Sequence, residues 1–303
     1  MRAFICGCRG LTLSSEERGF LRESEPFGVI LFKRNIESAA QLCALIQEIR
    51  DCLGRADADV LVDQEGGRVQ RLAPPHWRAY PAAARFQAAE LPLERKEWLI
   101  RLAARLMAQD LREMGITIDC VPVLDIPVQG SHDVIGDRAY GRDPKTVAKL
   151  GRAAALGLLD EGVLPIMKHV PGHGRATVDS HHALPVVTAP LAQLAETDFL
   201  PFVENADLPA AMTAHVVYMA LDTGAPATLS ARVIGDIIRQ RIGFAGLLLS
   251  DDLSMQALSG SLHERAAAAF AAGIDIALHC NGDLVEARAV AAAAPVLAGE
   301  SLA

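Results

Sequence analysis

Seven short apolar runs recur along the chain: GVILF (28–32), VLV (60–62), ITIDCV (116–121), VLPIM (163–167), AAMTA (210–214), GLLLS (246–250) and IDIAL (274–278). RAFIC (2–6) makes an eighth. None alternates apolar with polar residues, which is the pattern of strands buried on both faces in a parallel sheet. Between them lie stretches of helical periodicity with clear end signals. In SAAQLCALIQEIRDCLG, Leu42, Leu45, Ile46, Ile49 and Leu53 share one face, and Gly54 marks the stop. DPKTVAKLGRAAALGLLDEG opens with Asp143 as N-cap and Pro144 in the first turn, with Gly162 beyond its end. SARVIGDIIRQRIG repeats the pattern from Ser230 to Gly243, and SLHERAAAAFAAG pairs Ser261 with Glu264 at capping-box spacing. The Ala-rich stretches 266–272 and 290–294 read as helix. Strands alternating with helices and no break in composition predict one (β/α)8 barrel domain over 1–303. A doubly wound open sheet is the alternative, weakened by the lack of GxGxxG or GxxxxGK[ST].

Polar residues follow the apolar runs with some regularity. Asp63, Gln64 and Glu65 follow VLV, Asp125 follows ITIDCVPVL, and Lys168 and His169 follow VLPIM. His215 follows AAMTA, Asp251 and Asp252 follow LLLS, and His279 follows IDIAL. The C-terminal ends of all strands in a parallel barrel open on one face, so these groups are expected at a common mouth. The pair Asp251–Asp252 has two readings: capping, with Asp252 or Ser254 satisfying free amides of the following helix, or a carboxylate, Asp251, at the barrel axis placed to attack a sugar carbon.

Residues 168–182, KHVPGHGRATVDSHH, concentrate four histidines, a lysine and an aspartate. Histidines hydrogen-bonded within a structural loop are one reading. A zinc site from His169, His173 and His181 is a second, opposed by the cationic Lys168 beside it. Proton transfer is the third. Asp179 and His181 are close enough in sequence for the carboxylate to orient the imidazole, which would then serve as acid and base near neutral pH.

Composition narrows the partners. A net charge of −8 with scattered arginines argues against nucleic-acid binding. No apolar run approaches the roughly 20 residues that span a bilayer, so a cytoplasmic protein without membrane contact is expected. Of the six cysteines, Cys6, Cys43, Cys52, Cys120 and Cys280 lie in apolar surroundings and read as buried free thiols. Cys6 and Cys8 form a CxC with no second pair at zinc spacing. With no apolar surface stripe in the pattern, a monomer is expected.

KHVPGHGRATVDSHH resembles the KH(F)PGHG…DSH signature of family 3 glycoside hydrolases, in the bacterial β-N-acetylhexosaminidase branch of the NagZ type. DQEGGRVQRL (63–72), PVLDI (122–126), GDRAYG (136–141) and SDDLSM (250–255) are similar to further motifs of that family, in its order. The resemblance covers about residues 28 to 280, and Val170 stands where phenylalanine is common. It implies a single-domain barrel that removes terminal β-linked N-acetylglucosamine with retention, from muropeptides ending in 1,6-anhydro-N-acetylmuramic acid. By motif, Asp251 is the nucleophile, and His181, oriented by Asp179, is the acid/base. Asp63, Arg71, Arg138, Lys168 and His169 are the sugar-binding residues. The partner is a small carbohydrate, and no metal or organic cofactor is implied. A β-glucosidase of the same family and a catalytically silent sugar-binding barrel remain as alternatives.

Overall fold

The computed structural model describes residues 1–180 and 182–297. Its strands are β1 (Arg2–Gly7), β2 (Pro26–Leu31), β3 (Asp59–Val62), β4 (Ile118–Asp119), β5 (Leu164–Val170), β6 (Val186–Val187), β7 (Ala210–Thr213), β8 (Val217–Tyr218), β9 (Leu247–Asp252) and β10 (Ile276–His279). All but β6 and β8 form a closed barrel in the order β1-β2-β3-β4-β5-β7-β9-β10, with β10 returning to β1 through Phe4↔Ala277 and Cys6↔His279. Every pairing is parallel, so the closed barrel holds and the open sheet is excluded.

Alternate strand residues divide between two cores. Ile5, Ile30, Leu61, Ile118, Ile166, Ala210, Leu249 and Ile276 point inward and fill the barrel. Their neighbours Phe4, Val29, Val60, Met167, Ala211, Leu248 and Ala277 point outward and pack under the helices. Both faces are therefore dry, which is why the strands show no polar alternation. Each fully buried Ile or Leu contributes about 1.5–3 kcal/mol of transfer free energy.

The helices follow their punctuation. Ala39–Leu53 is capped by Ser38 and ends at Gly54, and Asp143 caps Pro144–Asp160 by accepting from the Thr146 amide. Ser261 and Glu264 form their capping box at Leu262–Ala272. Val233–Arg241 differs in pitch: its turns are wider, and the Ile242 amide donates to the Ile237 carbonyl at 2.8 Å. The apolar face of Val233, Ile234, Ile237 and Ile238 is still buried. A 22-residue helix, Leu93–Met114, lies between β3 and β4 and packs against Pro144–Asp160. Gly157 permits that contact, because a Cβ there would fall 2.5 Å from the Arg101 carbonyl oxygen.

Two expectations are corrected. ITIDCV pairs as a strand only at Ile118–Asp119, since Pro122 has no N–H to continue the ladder. Beyond it the Pro122 carbonyl accepts from the Lys168 amide at 2.9 Å, and the Leu124 amide donates to the Lys168 carbonyl at 2.7 Å. Cys43 is exposed, because it falls outside the apolar face its helix buries, while Cys280 is only partly buried. Cys6, Cys8, Cys52 and Cys120 are buried and free.

β6 and β8 pair in parallel within the connections that follow β5 and β7, which places them at the open end of the barrel. Tyr218 donates its hydroxyl to the Gly172 carbonyl at 2.6 Å, tying the two connections together.

Candidate active site

The inward-facing layer continues two residues past the apolar plug. Phe32 stands above Ile30, Asp63 above Leu61, Lys168 above Ile166, Met212 above Ala210 and Asp251 above Leu249. Together with Leu278 and Cys280 they line a cavity of about 350 Å³ at the mouth, within the range of small-ligand sites. Lys168, His169 and Asp251 belong to β5 and β9 rather than to loops after them. The barrel backbone therefore sets their positions directly.

One wall is an unbroken chain of charges. Arg71 donates to Asp63 Oδ2 at 3.0 Å, and Lys168 Nζ bridges Asp63 Oδ1 at 2.9 Å and Glu65 Oε1 at 2.7 Å. Arg138 then grips both oxygens of Glu65 at 2.7 and 2.8 Å. Burial alone would push both carboxyls up, but the adjacent cations outweigh it. Lys168 and Arg71 hold Asp63 far below the carboxylate range, and Lys168 and Arg138 hold Glu65 down at about 2. Burial opposes the Lys168 charge, yet Asp63 and Glu65 raise its pKa above the ordinary lysine value. The side chains of Lys168 and Glu65 are 3% and 5% exposed, so the middle of this wall is shielded from solvent. The turn behind it depends on Gly66, at φ 88°, where a Cβ would fall 2.5 Å from the Pro81 carbonyl oxygen.

A second group is organised by Asp125. Its Oδ2 meets His169 Nδ1 at 2.6 Å, and its Oδ1 accepts from the His173 amide at 2.6 Å. Burial raises the Asp125 pKa, but the neighbouring His169 charge outweighs that and lowers it to about 2. With a carboxylate on Nδ1, that nitrogen carries the proton and the ring orientation is fixed. Burial, then the His169 charge, push the His173 ring down to about 4, so it is neutral at pH 7. Its Nε2 lies 3.0 Å from Ser180 Oγ.

The adjacent acids on β9 divide their roles. Asp252 Oδ1 accepts from the amides of Ser254 and Cys280, and its Oδ2 from the Ser254 hydroxyl, so it shapes a turn. Asp251 lines the cavity and accepts from the Asp252 amide at 2.8 Å. The helix Leu262–Ala272 is capped by Ser261, so neither Asp252 nor Ser254 is its cap.

Every expected site residue that the structure describes reaches this cavity: Asp63, Arg71, Arg138, Lys168, His169, Asp179 and Asp251. His181 lies outside the described residues. Other residues placed at the common mouth by sequence turn away from it. Gln64 is buried and holds the Arg71 and Leu72 amides, while His215 binds Thr228 and the Asp252 carbonyl. His279 meets Glu286, and Asp125 works from behind His169. Of the zinc candidates, His169 and His173 each have a ring nitrogen occupied by Asp125 or Ser180. Among the described residues, no three His, Cys, Asp or Glu side chains gather to hold a metal.

Glu65 was expected at the mouth without a role of its own, and Arg68 was not expected there. Glu65 belongs to the DQEGG turn, two positions past Asp63. Arg68 donates to the carbonyls of Asp133, Val134 and Ile135, clamping the segment that leads to Arg138.

Comparison with known proteins bears on this geometry. The model of the glycosyl hydrolase family 3 N-terminal domain matches residues 8–300. A beta-hexosaminidase of Bordetella avium is 40% identical over 278 residues, spanning 90% of this chain and 78% of that protein. NagZ from Neisseria gonorrhoeae, solved with N-trifluoroacetyl-D-glucosamine, superposes with a TM-score of 0.88 at 33% identity, covering 99% of this chain and 87% of that one. A family 3 beta-N-acetylglucosaminidase from Paenibacillus gives a TM-score of 0.90 at 34% identity over 96% of this chain, which spans 56% of that protein.

Proposed function

The chain belongs to glycosyl hydrolase family 3 and is a β-N-acetylhexosaminidase, and from that premise we propose a retaining exo-enzyme that works through a covalent glycosyl intermediate. One observation carries the mechanism: Asp251 and Asp179 line a single cavity whose wall is the buried Asp63–Lys168–Glu65–Arg138 network. Asp251 attacks the anomeric carbon as the glycosidic C–O bond breaks. His181 gives its proton to the departing oxygen, with Asp179 orienting the ring and stabilising its charged form. His181 then takes a proton from water, which attacks the anomeric carbon and frees Asp251. Retaining enzymes ordinarily use two carboxylates about 5 Å apart. An imidazole does the second task with an unperturbed pKa of about 6.5 and adds no negative charge beside the nucleophile.

Asp63, Arg71, Arg138, Lys168 and His169 recognise the sugar. Charged groups fixed by one another in this wall present hydrogen bonds to hydroxyls and an acetamido group without reorganising. No step needs a metal or an organic cofactor. The substrate in this reading is a muropeptide in which GlcNAc is joined to 1,6-anhydro-N-acetylmuramic acid, cleaved by a monomer in the cytoplasm. Free cysteines at every described cysteine position are in keeping with a reducing compartment.

A slow 2-deoxy-2-fluoro substrate should leave a glycosyl mass adduct on Asp251. Inactivated enzyme with no adduct on that residue would sink the covalent mechanism. A panel of aryl β-glycosides decides the sugar: β-GlcNAc turned over fastest supports this reading, and preference for β-glucoside favours the glucosidase alternative.

A further inference from the structure

We propose that His173 is a positioning residue for the acid/base loop: its buried imidazole docks the Ser180 hydroxyl and so sets where the adjacent Asp179 carboxylate stands in the cavity wall. The proposal rests on the assignment of Asp179 above.

His173 Nε2 and Ser180 Oγ are 3.0 Å apart, and each residue is 3% exposed. Residues 177, 178 and 182–184 are exposed, so Ser180 is a buried anchor within an outward-facing stretch. The anchor is rigid on its other side. The His173 amide donates at 2.6 Å to Asp125, the carboxylate that also orients His169 in the cavity wall. One residue earlier, the Gly172 carbonyl accepts from Tyr218 at 2.6 Å. The loop that presents Asp179 is thus hung from the same carboxylate that fixes a sugar-facing histidine.

The other ring nitrogen, Nδ1, has no hydrogen-bond partner among the described residues. A histidine retained for core stability would normally satisfy both nitrogens. Here the polar work of the ring goes into the Ser180 contact. Because burial keeps the ring neutral at pH 7, one hydrogen lies between Nε2 and the hydroxyl, with the donor set by the ring tautomer. A displacement of about 1 Å in a catalytic group costs on the order of 100-fold in rate, so a small shift of this loop should be visible in turnover.

Leaving-group dependence separates positioning from mere stability. In kcat/KM, phenyl β-GlcNAc needs a proton delivered to its departing oxygen, whereas 2,4-dinitrophenyl β-GlcNAc departs without one. Ser180→Ala should lower kcat/KM about tenfold for the phenyl glycoside and less than about threefold for the dinitrophenyl one. Ser180→Thr, which keeps the hydroxyl, should recover most of the loss, and the Tm of both should stay close to wild type. Equal losses on both substrates, or none, would overturn the proposal, provided Asp179→Asn shows strong leaving-group dependence. If Asp179→Asn shows no such dependence, the acid/base assignment itself is wrong and the proposal falls with it.

Discussion

The two halves of the cavity are held in different ways. Asp63, Lys168 and Asp251 stand on or directly after barrel strands, in register above Leu61, Ile166 and Leu249. Asp179 and Ser180 stand on a connection, with neighbours in contact with solvent, and Ser180 is held by a side-chain hydrogen bond to His173. The strand half takes its precision from backbone pairing, which is cooperative across the whole barrel. The loop half takes it from a few local contacts, each worth only about 0.5–1.5 kcal/mol. A nucleophile must stay fixed, whereas a proton-transfer group serves two successive steps. The division suits both tasks.

The contrast can be broken from the strand side first. Asp251→Ala should reduce hydrolysis of an aryl β-GlcNAc by about 10⁴-fold or more with the fold intact, since no other group replaces a missing nucleophile. Residual activity near wild type would remove Asp251 from that role. Lys168→Met leaves Asp63 and Glu65 buried around an uncharged side chain and should cost about 3–5 kcal/mol in urea unfolding. A loss below about 1 kcal/mol would show that Arg71 and Arg138 suffice alone.

The loop side is sharpened by pH. The pKa of His173 is lowered to about 4 in the folded protein, against about 6.5 when unfolded. The unfolded chain binds the extra proton between those values. The stability is therefore fully present above pH 6.5 and is lost as pH falls toward 4, by about 2–3 kcal/mol. His215, also depressed by burial, adds in the same direction, whereas Glu65 and Asp125 act lower, between their unfolded values and about 2. Unfolding curves at pH 7 and 4.5 should show the loss, and His173→Gln should reduce it. The smallest effect expected is Asp143→Ala, which removes the cap on the Thr146 amide and no residue that lines the cavity. It should cost about 1 kcal/mol with kcat unchanged.

Much of this was legible in the sequence. The apolar runs located the barrel strands, with ITIDCV too long because only the pairing showed where the ladder stops. The capping residues Asp143 and Ser261 were correct because a cap is a local arrangement of a few residues. Arg71 and Arg138 came from motif resemblance, and the structure brings both to the cavity. The role of Glu65 was missed because it depends on Lys168, 103 positions away in the chain, and on Arg138.

The alternation of apolar strands and capped helices, together with the placement of acids and bases at strand ends, follows from sequence alone, because periodicity and local hydrogen bonding act over a few residues. Which of those groups face the mouth was decided by tertiary structure. Asp63 points in while Gln64 is buried behind it, and of Asp251 and Asp252, which both line the cavity, Asp252 is bound up in a turn. Strand parity sets the alternation along each chain segment, but only closure of the barrel brings the inward sides of distant strands around one cavity.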